Sequence, residues 1–192
     1  MPRYLVLLGA GVSAFAAAFY IRDTVKGHTQ PNRVTFLIWG LAPLIATAAG
    51  LAKGVTWAVV PVFMSGFCPL LIFASSFSSP KAYWRLTTFD YACGGCSILA
   101  LVLWGITRQP EVAIVFAIVS DALAAIPTLK KCWSHPETET ASVYLGGFFS
   151  ALTGFAVLRT WAFAEWAFPG YLVAMNTSIS FLLFYGRQAT RK

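Results

Sequence analysis

Seven apolar runs, each about as long as a bilayer is thick, constrain this chain more than any other feature of its sequence. A helix needs roughly 20 mostly apolar residues to cross the hydrocarbon layer. The runs are Tyr4–Ile21, Val34–Ala52, Gly54–Phe77, Leu86–Thr107, Val112–Leu129, Thr140–Leu158 and Trp166–Tyr185. Five carry no charge; the fourth holds Asp90 and the fifth Asp121. Lipid offers the backbone no hydrogen-bond partners, so a single segment can cross only as a helix. Pro43, Pro61, Pro69, Pro127 and Pro169 fall inside the runs, where neighbouring helices make proline tolerable. The tightest connection expected is Lys53-Gly54, between the second and third runs.

Composition excludes a water-soluble domain. The chain is 58% hydrophobic and 11% charged, whereas soluble domains carry about 25% charged residues. Its net charge of +7 does not mark a nucleic-acid binder, because no basic cluster is interleaved with stacking aromatics. A single Arg3 precedes residues 4–21, so a cleavable signal peptide is not expected. Ten Lys and Arg residues fall on the side of the C-terminus and four on the other. By the positive-inside rule this predicts an outside N-terminus and a cytoplasmic C-terminus, in a plasma or inner membrane.

A shift of 105 residues lays Ile21–Thr35 on Ile126–Thr140, matching Ile21 with Ile126, Lys26 with Lys131, Pro31 with Pro136 and Thr35 with Thr140. Trp39 then falls on Tyr144, and with a slightly longer offset Ser65 falls on Ser178. Three helices can repeat in the same orientation only if a lone helix intervenes, which the fourth run supplies. The expected units are 1–79, a linker helix in 80–109, and 110–192. Transporters built from such repeats place their substrate near mid-membrane, at the interface between units.

Few residues carry candidate chemistry. Asp121 lies near the bilayer centre among Ser120, Ala122, Leu123 and Ala124, where insertion of an Asp costs about 2.5–3.5 kcal/mol. It reads as a substrate contact or proton carrier, or as a hydrogen-bonded lock between helices. Asp90 sits nearer the cytoplasmic edge, within reach of water, Lys81 or Arg85, and is a second possible proton carrier. Asn176 needs hydrogen-bond partners at mid-span, from a substrate or from another helix. Trp39, Trp57, Trp104 and Tyr144 either line a pocket or pack. Tyr83, Trp84 and Trp133 read as interfacial anchors. Cys93 and Cys96 share a helix face, for dithiol chemistry or for close packing through Gly94 and Gly95.

Enzyme signatures are missing. Neither G-x-S-x-G nor H-E-x-x-H occurs, and both histidines, His28 and His135, fall in connections, so no metal or other cofactor is expected. The seventh run has no Lys for a retinal Schiff base.

Pro127-Thr128 stands at the cytoplasmic end of the fifth run and Asn176 mid-way along the seventh. With the 3-1-3 pattern, these make the chain similar to the SWEET and PQ-loop superfamily, which has a Pro-Gln pair at the first position and a pocket asparagine at the second. The first repeat has Arg22-Asp23 where that pair falls. The resemblance implies an all-α membrane protein of seven transmembrane helices, two parallel three-helix bundles joined by a linker helix. It implies alternating-access transport of a small polar solute, possible proton linkage, and Pro127 as a hinge. Asp121, Asn176, Ser65, Trp39 and Tyr144 would then contact the solute. The expected partners are that solute and the bilayer, with room for a homo-oligomer and no nucleic acid. The alternatives are a non-transporting receptor, as the KDEL receptor is within a related architecture, and a membrane thiol oxidoreductase using Cys93 and Cys96.

Overall fold

The computed structural model describes residues 2–82, 84–107 and 109–189. Tyr83, Arg108 and the last two basic residues, Arg191 and Lys192, lie outside the described residues, as does the side chain of Trp104. Every described element is helical. The α-helices are α1 (Pro2–Val25), α2 (Arg33–Ala52), α3 (Val59–Ser75), α4 (Thr88–Thr107), α5 (Pro110–Ser134), α6 (Ser142–Phe155) and α7 (Phe163–Ala189). Two single 3-10 turns, Pro80–Ala82 and Pro136–Thr138, lie in the connections before α4 and α6.

Four helices, α1, α2, α5 and α7, are long and apolar enough to cross a membrane, which marks the chain as a helical integral membrane protein. Their outward faces carry side chains that water would not tolerate in such density. On α1, Leu7, Leu8 and Phe15 are exposed, and on α7 Phe181 and Phe184. The outer face of α4 likewise exposes Ile98, Leu99, Val102 and Ile106. α3 has 17 residues and α6 has 14, short of the roughly 20 that a full crossing needs.

Both shortened helices differ from the expected runs for a local reason. Residues 54–58 do not begin a helix; they close the previous one. Gly54 adopts φ +78, the left-handed conformation that glycine reaches without steric cost. Its N–H donates to Leu51 O (2.9 Å) and the Val55 N–H to Gly50 O (3.0 Å), the paired bonds of a Schellman stop. The connection therefore runs from Lys53 to Ala58, where a two-residue link was expected. α6 ends differently, through two successive i→i−3 bonds from Ala156 N–H to Thr153 O and from Val157 N–H to Gly154 O, with Ala156 still in the right-handed helical region. Val55, Ala58 and Val59 pack there against Val157, Leu158 and Ala164, so the two short connections close one end of the molecule together.

Packing joins helices distant in sequence. α3 packs on α1 and α2, while α7 packs on α5 and α6. α1 meets α6, and α2 meets α5. α4 lies on α5 and touches α2. At the other end of the bundle Asn32 caps α2, its Oδ1 accepting from Val34 N (3.1 Å) and Thr35 N (3.2 Å). Its amide nitrogen donates to Asp90 Oδ1 at 2.5 Å. Asp90 Oδ2 accepts from the backbone and hydroxyl of Thr87, each at 2.6 Å. Asp90 thus ties the start of α4 to the start of α2, with Asn32 and Thr87 as partners where Lys81 or Arg85 was expected.

Candidate functional site

A cavity of about 60 Å³ lies inside the bundle, room for several waters or a solute of a few heavy atoms. Among the described residues every α-helix except α4 contributes to its wall. Trp39 comes from α2, Ser65 from α3, Asp121 from α5, Tyr144 from α6 and Asn176 from α7. All five side chains singled out in the sequence as solute contacts therefore share one space. α1 adds Ser13, α3 adds Met64 and Cys68, and α2 adds Phe36.

Asp121 is 3% exposed, and its Oδ2 accepts from the Tyr171 hydroxyl at 2.6 Å. Desolvation is unfavourable for a carboxylate unless donors or a counter-charge replace water, and Tyr171 is the one side chain that supplies a donor among the described residues. The Trp39 indole N–H is turned to the main chain of α5, donating to Asp121 O at 3.1 Å. One turn further along, the Thr35 hydroxyl donates to Ala124 O at 2.7 Å. Both bonds fall just before Pro127, which is buried within α5 but does not line the cavity. Proline has no N–H, so the helix already lacks one rung at this place, and two donors from α2 brace the rungs beside it.

Asn176 donates from its amide to Leu172 O at 2.8 Å, which leaves its Oδ1 toward the cavity and against Gly147. A Cβ at Gly147 would sit 3.0 Å from that oxygen, closer than ordinary contact, so a larger residue there would need the Asn176 amide to shift. Phe36, Trp39 and Tyr144 form an edge-to-face series, with centroids 5.4 Å apart for the first pair and 6.2 Å for the second. Such tilted contacts are the favoured arrangement of aromatic quadrupoles.

Tyr144 also reaches a second polar centre. Its hydroxyl donates to Glu139 Oε2 (3.0 Å), as does that of Tyr20 (2.7 Å). Glu139 Oε1 pairs with Lys131 Nζ at 2.7 Å, and these side chains are 0% and 1% exposed. Lys131 also donates to the carbonyls of Gln30 and Thr138 and lies 4.8 Å from the centroid of the Trp84 ring. Arg187 of α7 donates to Glu139 O at 2.7 Å. The connections before α2, α4 and α6 are thus tied to α1, α5, α6 and α7 under one end of the bundle. No local signal in Pro136–Thr140 marks Glu139 as buried, because its partners come from Tyr20, Lys131 and Tyr144.

Other candidates fall elsewhere. Asp90 is outside the cavity wall. Cys93 is buried and Cys96 exposed, both as free thiols, and Gly94 between them lies against Val34 of α2. Trp57 is partly exposed at the connection before α3. Trp84, expected at the membrane interface, takes the Lys131 ammonium over its ring and meets His135 edge-on; Trp133 is exposed. Among the described residues no group of three His, Cys, Asp or Glu side chains could hold a metal ion. Sequence reading passed over Tyr171 and Ser13, each a common residue with nothing unusual around it. No family model, curated protein or solved structure matches this chain, so the reading of the cavity rests on its own residues.

Proposed function

We propose that the chain is a SWEET/PQ-loop-like transporter that moves a small polar solute by alternating access, with α1–α3 and α5–α7 as its two parallel units and α4 as the linker. The observation that carries this reading is the wall of the cavity, to which, among the described residues, each of those six helices contributes and α4 does not. The packing pattern supports it. Among those six helices, exchanging α1, α2 and α3 for α5, α6 and α7 turns each pairing into another that is also present: α1 with α6 becomes α5 with α2, and α3 with α6 becomes α7 with α2. An internal repeat with its site at the interface is a common transporter plan.

In this reading Asp121 is both solute contact and proton carrier, and α5 flexes at Pro127 when the bonds from Trp39 and Thr35 release. The basic end, with Arg22, Lys26, Arg33, Lys130, Lys131 and Arg187, faces the cytoplasm. The test is uptake into proteoliposomes under an imposed proton gradient. Asp121→Asn should abolish gradient-driven accumulation while leaving a weaker solute exchange between the two sides, because the contact is impaired but the proton carrier is gone. Binding without flux in the wild-type protein would make it a receptor. Unaltered gradient-driven uptake by Asp121→Asn would remove Asp121 from the proton path.

A further inference from the structure

The hydrogens of the cavity wall are largely committed before any solute arrives. Trp39 gives its N–H to Asp121 O, Ser65 its hydroxyl to Val62 O at 2.7 Å, and Tyr144 its hydroxyl to Glu139. Asn176 spends one amide hydrogen on Leu172 O, and the Ser13 hydroxyl lies 3.9 Å from the Cys68 sulfur. What the wall still offers is mostly acceptors. Asp121 Oδ1 and Asn176 Oδ1 meet no protein donor among the described residues, and Ser65 Oγ keeps a lone pair. Because the polar handles of Trp39 and Tyr144 are turned away, those residues present aromatic surface, next to Phe36. Among the described residues no Lys, Arg or His lines the space, and the one carboxyl that does is Asp121.

A solute rich in acceptors fits this wall poorly. A sugar hydroxyl can donate to Asp121 or Asn176, but its own oxygens would find few hydrogens. A carboxylate would lie beside Asp121 with no cation to hold it. A group with several N–H donors and a positive charge satisfies each feature together. It meets the free acceptors, pairs the buried carboxylate, and lies against aromatic rings, which attract cations within about 6 Å of their centroids. Resting on the reading of this space as the cargo site, we propose that the cargo is a small organic cation bearing a primary ammonium group, held by Asp121 Oδ1 and Asn176 Oδ1 beside the rings of Phe36, Trp39 and Tyr144.

Three probes of nearly the same size separate the classes: ethylammonium, ethanol and acetate, added to the purified full-length protein, with sodium chloride matching ionic strength. Ethylammonium should raise the melting temperature in a saturable way, and the other two should not. Asp121→Asn should weaken ethylammonium at least about tenfold, the loss expected when a charged hydrogen bond goes, and Asn176→Ala should weaken it less. The wild-type ranking decides the matter even if a variant fails to fold. Stabilisation by ethanol or acetate equal to that by ethylammonium, or none by ethylammonium, would overturn the assignment. Flux in proteoliposomes keeps the two ideas apart. Ethylammonium binding without flux retains the ligand class and removes the transport reading. Sugar flux without ethylammonium binding removes the ligand class and retains transport.

Discussion

The two ends of the bundle are closed by different physics. Under the basic end, Lys131, Glu139, Tyr20 and Tyr144 form a buried network of directed hydrogen bonds, to which the exposed Arg187 adds a bond to Glu139 O. At the opposite end the connections before α3 and α7 meet through a small apolar contact around Val55 and Val157. The ion pair there, Lys53 Nζ to Glu111 Oε1 at 2.6 Å, is half-exposed on both sides. Apolar burial is non-directional and roughly proportional to area, so the second closure yields gradually as surfaces part. A buried ion pair holds until a partner leaves, and then the remaining charge is stranded. The ends therefore differ in how abruptly they can open.

Removing one side of the buried pair gives the largest expected effect. Glu139→Ala should destabilise the protein by about 3–5 kcal/mol in denaturant melts, because Lys131 is left without its counter-charge. The double variant Lys131→Met with Glu139→Leu should recover most of that loss. A Glu139→Ala melt no lower than that of Lys53→Ala would erase the contrast between the ends.

The junction of α2 and α4 tests how far the directed network spreads. Asn32→Ala deletes the cap of α2 and a donor to Asp90, for an expected loss of about 1–3 kcal/mol. Asn32→Asp keeps the cap but sets two carboxylates together, so it should be no better tolerated. Wild-type stability in both variants would confine the network to the Lys131 cluster. The smallest effect belongs to the opposite end. Lys53→Ala removes an exposed pair of a kind that usually contributes little, and its melting temperature should match wild type within error. A clear drop would mean that this end, too, is held by charge.

The same contrast separates what could be read from the sequence from what could not. Asp121 and Asn176 stand out because each is polar within an apolar run, and Trp39 and Tyr144 because the 105-residue offset pairs them. Their meeting in one cavity follows from helices that the apolar runs already announce. Local order was harder to see. Val55, Trp57 and Ala58 are as apolar as the helix that follows, and nothing in their composition marks them as a connection; the one local sign is Gly54, which ends α2 before them. Asp90 was readable as a structural residue but not as the partner of Asn32, which lies 58 residues away. The Glu139 network left no trace, since a Lys and a Glu beside a bilayer ordinarily face water.

Tyr144 belongs to both centres: its ring edges the cavity and its oxygen is bound to Glu139. An aromatic ring is rigid, so the two cannot move independently. Any solute that binds one position of the ring better than another must alter the strength of the ionic cluster, and by thermodynamic reciprocity the cluster alters solute affinity by the same factor. A shift in affinity in Tyr20→Phe, which leaves the cavity wall intact and removes one donor to Glu139, would put a number on that exchange of free energy between the middle of the membrane and its edge.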